Sequence, residues 1–210
     1  MKKALLLFAL IAISVVSVNA QDNNLKWGLM AGMNVSQYSI TGFDNRVGFH
    51  AGVKAEVGLS QKESGAYMDF AALLSLKGAK IDGGSVLSLK FNPVYLEVPV
   101  HVGYKYAVND DFTLFGSVGP YLAVGLFGKA KLSGDAFDTG ELEIEGGSMS
   151  ENLFGSDGLK RFDFGLGLKA GVEFSKKYQV SLSYDFGLID ASKDFGMKNR
   201  NLMISLGYLF

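Results

Sequence analysis

The chain has 210 residues and no cysteine, which excludes both a lipid-anchored N-terminal cysteine and a disulfide framework. Its net charge is −1, so no strongly basic field is present to hold nucleic acid. Glycine occurs 27 times and proline three times in a chain that is 12% aromatic, a composition that disfavours helical bundles and favours a single all-β domain.

In chain order, Met1, Lys2 and Lys3 form a positive start, residues 4–18 an apolar core, and Val18, Asn19 and Ala20 a small-residue cleavage site. The pattern predicts a cleaved secretory signal peptide over residues 1–20 and a mature domain over 21–210. Cleavage removes two lysines and leaves 18 basic against 21 acidic residues. No other apolar run approaches the roughly 20 residues that a transmembrane helix needs.

Eight segments with a period of two follow, and each predicts a strand between two unlike environments. Residues 25–35 align Trp27, Leu29, Ala31, Met33 and Val35. Residues 46–59 set Val47, Phe49, Ala51, Val53, Ala55, Val57 and Leu59 against Arg46, His50, Lys54 and Glu56. The third sets Met68, Phe70, Ala72, Leu74 and Leu76 against Asp69, Ser75 and Lys77. From Phe91 the fourth sets Val94, Leu96, Val98, Val100, Val102, Tyr104 and Tyr106 against Tyr95, Glu97, His101 and Lys105. The fifth carries Phe112, Leu114, Val118, Leu122, Val124 and Leu126, and on its polar parity Lys129. The sixth carries Phe164, Leu166, Leu168, Ala170, Val172 and Phe174. The seventh carries Tyr178, Val180, Leu182, Tyr184, Phe186 and Leu188, and the eighth Leu202, Ile204, Leu206, Tyr208 and Phe210.

Alternation alone does not say which face is outside, since a soluble lipocalin-like carrier would turn its apolar parity inward. Three features point the apolar face to lipid. The polar face is rich in glycine (Gly48, Gly52, Gly58, Gly165, Gly167, Gly171), which suits a crowded lumen. Connections alternate between short (60–65, 107–111, 175–177) and long (37–45, 78–90, 129–161, 190–199). With a periplasmic N-terminus, the inner strand ends fall on Trp27, Tyr104, Tyr106, Phe112, Phe174, Tyr178, Tyr208 and Phe210, an aromatic girdle on the apolar parity. Phe49, Phe91, Phe164 and Phe186 are the candidates for an outer girdle. The expectation is an all-β, eight-stranded antiparallel up-and-down transmembrane barrel with short periplasmic turns and longer outer loops.

The ending on Tyr208 and Phe210 resembles the closing strand of bacterial outer-membrane barrels, where it serves as an assembly signal. The stretches from Tyr95 to Val100, Gly119 to Gly125, Asp163 to Phe174 and Tyr184 to Leu188 resemble the Bacteroidetes-type outer-membrane barrels called PorT-like or porin family. That resemblance spans nearly the whole mature chain and implies the fold and an outer-membrane location. Its partners would be outer-membrane lipid, the barrel assembly machinery acting on the C-terminal strand, and a surface ligand or envelope protein.

The inward parity collects Lys54, Glu56, Asp69, Lys77, Glu97, His101, Lys105, Asp163, Lys169, Glu173 and Asp185. A barrel of eight strands leaves room for little more than side chains, so these groups are expected to pair as a plug and not to line a diffusion pore. Catalysis, a cofactor and a metal are not expected. The only histidines, His50 and His101, lie on the lumen parity with no triad spacing, and Gly165-Leu-Gly167 lies in a strand and not at a strand-to-helix turn. Residues 135–157 carry Asp135, Asp138, Glu141, Glu143, Glu145, Glu151 and Asp157 without a basic residue and match no calcium loop. A hairpin pairing 141–145 with 129–132 is the expected form of this outer loop.

Overall fold

The computed structural model describes residues 25–39, 44–60, 62–78, 80–82, 88–133, 154, 159–192 and 196–210. Its regular elements are strands: β1 Leu25–Tyr38, β2 Arg46–Gly58, β3 Gly65–Leu76, β4 Lys80–Asp82, β5 Ser88–Ala107, β6 Phe112–Ser133, β7 Phe162–Phe174, β8 Tyr178–Asp190 and β9 Lys198–Leu209. β3 and β4 are successive pieces of one stave, both paired with β5, with Lys77 N donating to Pro93 O at 3.1 Å between them. Each stave is antiparallel to its neighbours in sequence, β3 pairs with β5, and β1 pairs with β9, so eight staves close into a barrel. Closure leaves no sheet edge within the membrane, where unpaired backbone groups would have no water to bind.

The closing seam is held at its inner end by the last residue. Phe210 N donates to Trp27 O at 2.8 Å, and Leu209 N donates to Lys177 O at 2.7 Å. The inner aromatic girdle lies outward along this ladder: Phe112 pairs with Phe174, Phe174 with Tyr178, and Tyr178 with Tyr208. Their rings touch in sequence, with centroids 5.0 Å apart for Phe112 and Phe174, 5.3 Å for Tyr178 and Tyr208, and 5.8 Å for Tyr208 and Phe210. Trp27, Tyr104 and Tyr106 extend the exposed belt around the barrel. At the outer end Phe49 and Phe186 are exposed, joined by Phe127 and Phe162, while Phe164 is half-buried.

Four details depart from the sequence reading. Segments 78–90 and 129–161, expected as loops, contribute to the sheet: β4 pairs with β5 over Lys80–Asp82, and β5 and β6 stay paired up to Ser88 and Ser133. These three strands rise beyond the point where β7 leaves β6 at Val124. Residues 129–132 therefore have β5 as a partner, while 141–145 and the signal segment 1–20 lie outside the described residues. The second departure is a β-bulge that skips Leu126, so that Tyr95 faces Gly125 but Val94 faces Phe127, while the Lys129 side chain lies outside the described residues. Third, Ala55 and Val57 are on the lipid side yet buried. In the ladder Ala55 stands between Trp27 and Phe70, and Val57 between Leu25 and Met68, so larger neighbours shield them. Fourth, the lumen holds apolar and aromatic groups beside the charges, among them Tyr67, Leu73, Phe115 and Tyr121.

Candidate functional site

The alternation of each strand carries its polar parity into the lumen, where Lys54, Glu56, Asp69, Lys77, Glu97, His101, Asp163 and Asp185 are each no more than 3% exposed. The site is layered. In the inner half, Lys105 Nζ lies 2.6 Å from both Glu56 Oε2 and Glu173 Oε2. Lys54 Nζ lies 2.7 Å from Glu56 Oε1 and 3.7 Å from Asp69 Oδ1, and Lys169 binds the other Asp69 oxygen at 2.5 Å. Gln179 ties the layer together: its amide donates to Glu56 and Glu173 at 2.8 and 2.7 Å, and its carbonyl accepts from Lys54 at 2.6 Å. Three lysines meet three carboxylates there, so the layer is balanced. The Lys105 ammonium also stands 5.2 Å from the Tyr67 ring centre, and Tyr67 meets Phe115 edge-on at 6.4 Å.

Above it, the two histidines occupy a middle level. His50 Nε2 is 2.8 Å from Ser205 Oγ. His101 is opposite Asp69 in the β3–β5 ladder, and Gly167 makes room for its ring, since a Cβ at Gly167 would fall 2.7 Å from His101 Nε2. In the outer half, Lys77 pairs with Glu97, approaches Asp185 Oδ2 at 3.8 Å, and stands 4.6 Å from the centre of the Tyr121 ring. Asp163 is held by neutral donors: the Tyr121 hydroxyl donates to it at 3.2 Å and the Asn199 amide at 2.9 Å. Asn34 of β1 donates to Leu76 O of β3, past the intervening β2, at 2.9 Å and to Asn201 Oδ1 of the neighbouring β9 at 3.1 Å.

The two mouths differ. At the inner mouth a cavity of about 230 Å³ is lined by Lys26, Lys62, Asn109 and Lys176 and floored by Glu56, Lys105 and Glu173. At the outer mouth an apolar cluster covers the charges: Tyr38, Tyr95, Tyr121, Phe154, Leu159, Ala191 and Met197. Phe154 comes from the long outer connection and meets Tyr95 edge-on at 5.6 Å. Its ring occupies the space that a side chain at Gly125 would need, 2.2 Å from the position of a Cβ there. Arg161 stacks over the same ring at 5.3 Å and donates to Gly125 O at 3.2 Å.

Nine of the ten expected lumen residues fall in two ion-paired groups, Lys54, Glu56, Asp69, Lys105, Lys169 and Glu173 in the inner half and Lys77, Glu97 and Asp185 in the outer half, while neither ring nitrogen of His101 has a hydrogen-bond partner. Sequence reasoning did not single out Gln179, Asn34, Asn199 and Tyr121, whose polar atoms add hydrogen bonds within the lumen. Inward parity was the available signal for Gln179, Asn34 and Tyr121, whereas Asn199 fell in the expected connection 190–199. The His50 and Ser205 pair resembles half of a nucleophilic triad, but His50 Nδ1 has no carboxylate partner and both residues are sealed from solvent. Among the described residues no group of three or more His, Asp or Glu is disposed to hold a metal.

A search of curated protein sequences finds no match. Solved structures with a similar outline include Ail, the attachment invasion locus protein of Yersinia pestis, at 19% identity and TM-score 0.41 over 88% of this chain and 98% of that one. Neisserial surface protein A is similar at 12% identity and TM-score 0.49, over 88% and 97%. The outer membrane protein OprG of Pseudomonas aeruginosa is similar at 12% identity and TM-score 0.40, over 88% and 95%. Residues 19–193 match the family model of the outer membrane protein beta-barrel domain, and the chain belongs to that family.

Proposed function

We propose that this barrel is a non-catalytic outer-membrane protein whose lumen is a structural plug and whose specific work is done by its outer face, in tethering or surface contact. The observation that carries this reading is that buried side chains occupy the lumen at every level. Ion pairs fill the inner half, Lys77, Glu97 and Asp185 the outer half, and the apolar cluster around Tyr95 and Phe154 the outer mouth. A water column through so narrow a barrel would have to displace these groups. The finer elements belong to the same proposal: residues 1–20 as a signal peptide cleaved on export, recognition of the terminal strand by the assembly machinery, and kinship with the PorT-like barrels.

Reconstitution of the purified full chain in planar bilayers tests the plug. No steady conductance is expected, and reproducible long-lived channels would replace the plug with a pore. Fractionation supplies a second check: the folded protein should accompany outer membranes and migrate differently on SDS gels before and after heating.

A further inference from the structure

The cavity at the inner mouth has a rim and a floor of unlike charge. Its rim is built by the short turns that follow β2, β5 and β7, and these are tied to one another in a closed ring. Ala107 N, at the end of β5, donates to Ser64 Oγ of the β2–β3 turn at 2.9 Å. Ser175 N, after β7, donates to Asp111 O of the β5–β6 turn at 2.7 Å, and Lys176 Nζ meets Glu63 Oε1 at 2.8 Å, back on the β2–β3 turn. The mouth is therefore held in shape by contacts between its own turns.

The floor presents more anion than cation. Glu56, Glu173 and Lys105 line the cavity, while Lys54, Asp69 and Lys169, the other charges of that layer, lie behind them. Glu173 receives both Lys105 and Gln179 on Oε2, so Oε1 takes neither bond and is the acceptor available to a ligand. At the rim the balance is reversed. Lys26 stands directly opposite Glu56 in the β1–β2 ladder, yet Glu56 is already taken by Lys54, Lys105 and Gln179. Lys176 is spent on Glu63, and neither Lys26 nor Lys62 has a carboxylate partner among the described residues. Residues directly opposite one another stand about 5 Å apart at Cα, so uncommitted ammonium groups and an uncommitted carboxylate oxygen share a space of molecular size.

A ligand that satisfies both ends carries an ammonium and a carboxylate close together. The volume, about 230 Å³, lies below the roughly 300–1,000 Å³ of sites for drug-sized ligands and suits a single amino-acid unit. We propose that the inner mouth binds an α-amino-acid head group, its ammonium inward on Glu173 and its carboxylate outward on Lys26 and Lys62. A dianion would meet Glu56 and Glu173 at the floor, and a diamine would meet Lys26 and Lys62 at the rim, so neither is complementary. With the expected orientation this mouth opens to the periplasm, where such a head group is offered by free amino acids and by the side-chain ends of wall peptides. The site goes beyond the outer-face reading and is independent of it, since binding here needs neither an open lumen nor a surface partner.

The test titrates the full-length folded barrel, in detergent micelles, by calorimetry with meso-diaminopimelate, whose two ends are both α-amino-acid head groups. Pimelate, with the carboxylates alone, and cadaverine, with the ammonium groups alone, are the comparison ligands. Wild type should bind diaminopimelate with a Kd below about 10 mM and about tenfold or more tighter than either comparison ligand. The double variant Lys26→Gln, Lys62→Gln should lose that preference, the corresponding arginine double should keep it, and Lys198→Gln at the outer end should leave it intact. Glu173→Gln should weaken diaminopimelate as well. Heat-modifiable migration verifies that each variant is folded. Should Glu173→Gln not fold, the rim double and the ligand series decide, because Lys26 and Lys62 take no part in the buried layer. A wild type that does not bind diaminopimelate, or binds pimelate or cadaverine as well, overturns the inference, and so does a rim double that keeps the preference. The wall tripeptide alanyl-γ-glutamyl-diaminopimelate, with one head group at a side-chain end, separates the sources: binding at least as tight as the free amino acid assigns the site to wall peptide, and loss of binding assigns it to free amino acids.

Discussion

The inner and outer halves of the lumen bury similar numbers of carboxylates by different means. Inside, Glu56, Asp69 and Glu173 face Lys54, Lys105 and Lys169, and each carboxylate has more than one cationic or amide donor. Outside, Glu97 and Asp185 share a single lysine, Lys77, and Asp163 depends on the Tyr121 hydroxyl and the Asn199 amide. Burying a charge in a low-dielectric column is costly unless it is paired, so redundancy governs what each half tolerates. The inner half can lose one cation and re-share the others. The outer half has no spare.

Removing Lys77 is the strongest way to break this contrast. Lys77→Met would leave Glu97 and Asp185 facing each other without a cation, and a loss of about 3–5 kcal/mol is expected, the usual consequence of deleting one partner of a buried pair. Urea unfolding followed by the fluorescence of the single tryptophan, Trp27, reads it directly. The double variant Lys77→Met, Glu97→Gln should recover part of the loss by removing one of the stranded charges. Glu97→Ala alone should also destabilise, because it leaves Lys77 only the longer contact to Asp185.

Lys54→Met probes the redundant half and should cost less, about 2 kcal/mol. Its partners keep other donors: Glu56 retains Lys105 and Gln179, and Asp69 retains Lys169. If Lys54→Met proved as damaging as Lys77→Met under the same unfolding assay, the contrast between the halves would fail.

Much of this architecture is legible in the sequence because a barrel wall imposes one simple rule, a period of two, on every stave. Trp27, Tyr104, Phe174 and Phe210 could be assigned to one girdle because each stands on the apolar parity at the same end of its strand. The bulge at Leu126 escaped for the converse reason: Val124, Leu126 and Phe127 are all apolar, so the phase change leaves no trace in the pattern. The seat of Phe154 against Gly125 was equally silent, since it joins residues 29 positions apart through a loop with no periodicity. Tyr67, Phe115 and Tyr121 occupy inward positions where polarity was the expected signal, and they serve there through ring packing and hydroxyl donation.

The apolar lid over the outer half offers a gentler perturbation than any charge deletion. Gly125→Ala places a methyl where the Phe154 ring lies and should cost about 1 kcal/mol through displacement of that ring. Phe154→Ala combined with Gly125→Ala should then cost no more than Phe154→Ala alone, which unfolding of the three variants measures. Additive effects would show that the glycine and the ring do not share a space. Loss of Phe210 acts on a different quantity, the amount of barrel assembled: a chain ending at Leu209 lacks the bond to Trp27 O and the contact with Tyr208, and should yield less heat-modifiable protein.

The smallest effect is expected where charges pair in water. Lys176, in the β7–β8 turn, and Glu63, in the β2–β3 turn, meet at 2.8 Å, and both side chains are more than half exposed. The hydrogen bond from Lys176 holds the Glu63 carboxyl below its ordinary range, and the same bond holds the Lys176 ammonium above its own. Because the Glu63 value is lowered in the folded state, its contribution is present above the ordinary glutamate range and disappears as pH falls through the lowered value. Solvent and salt screen such a pair, so Glu63→Gln should leave the unfolding midpoint at neutral pH unchanged within error, and added salt should erase any residual difference. The lumen variants should keep their losses at the same salt concentration, because no counterion reaches Lys77 or Glu97. A Glu63→Gln variant as unstable as Lys54→Met would mean that the inner turns, and not the buried column, hold the staves together.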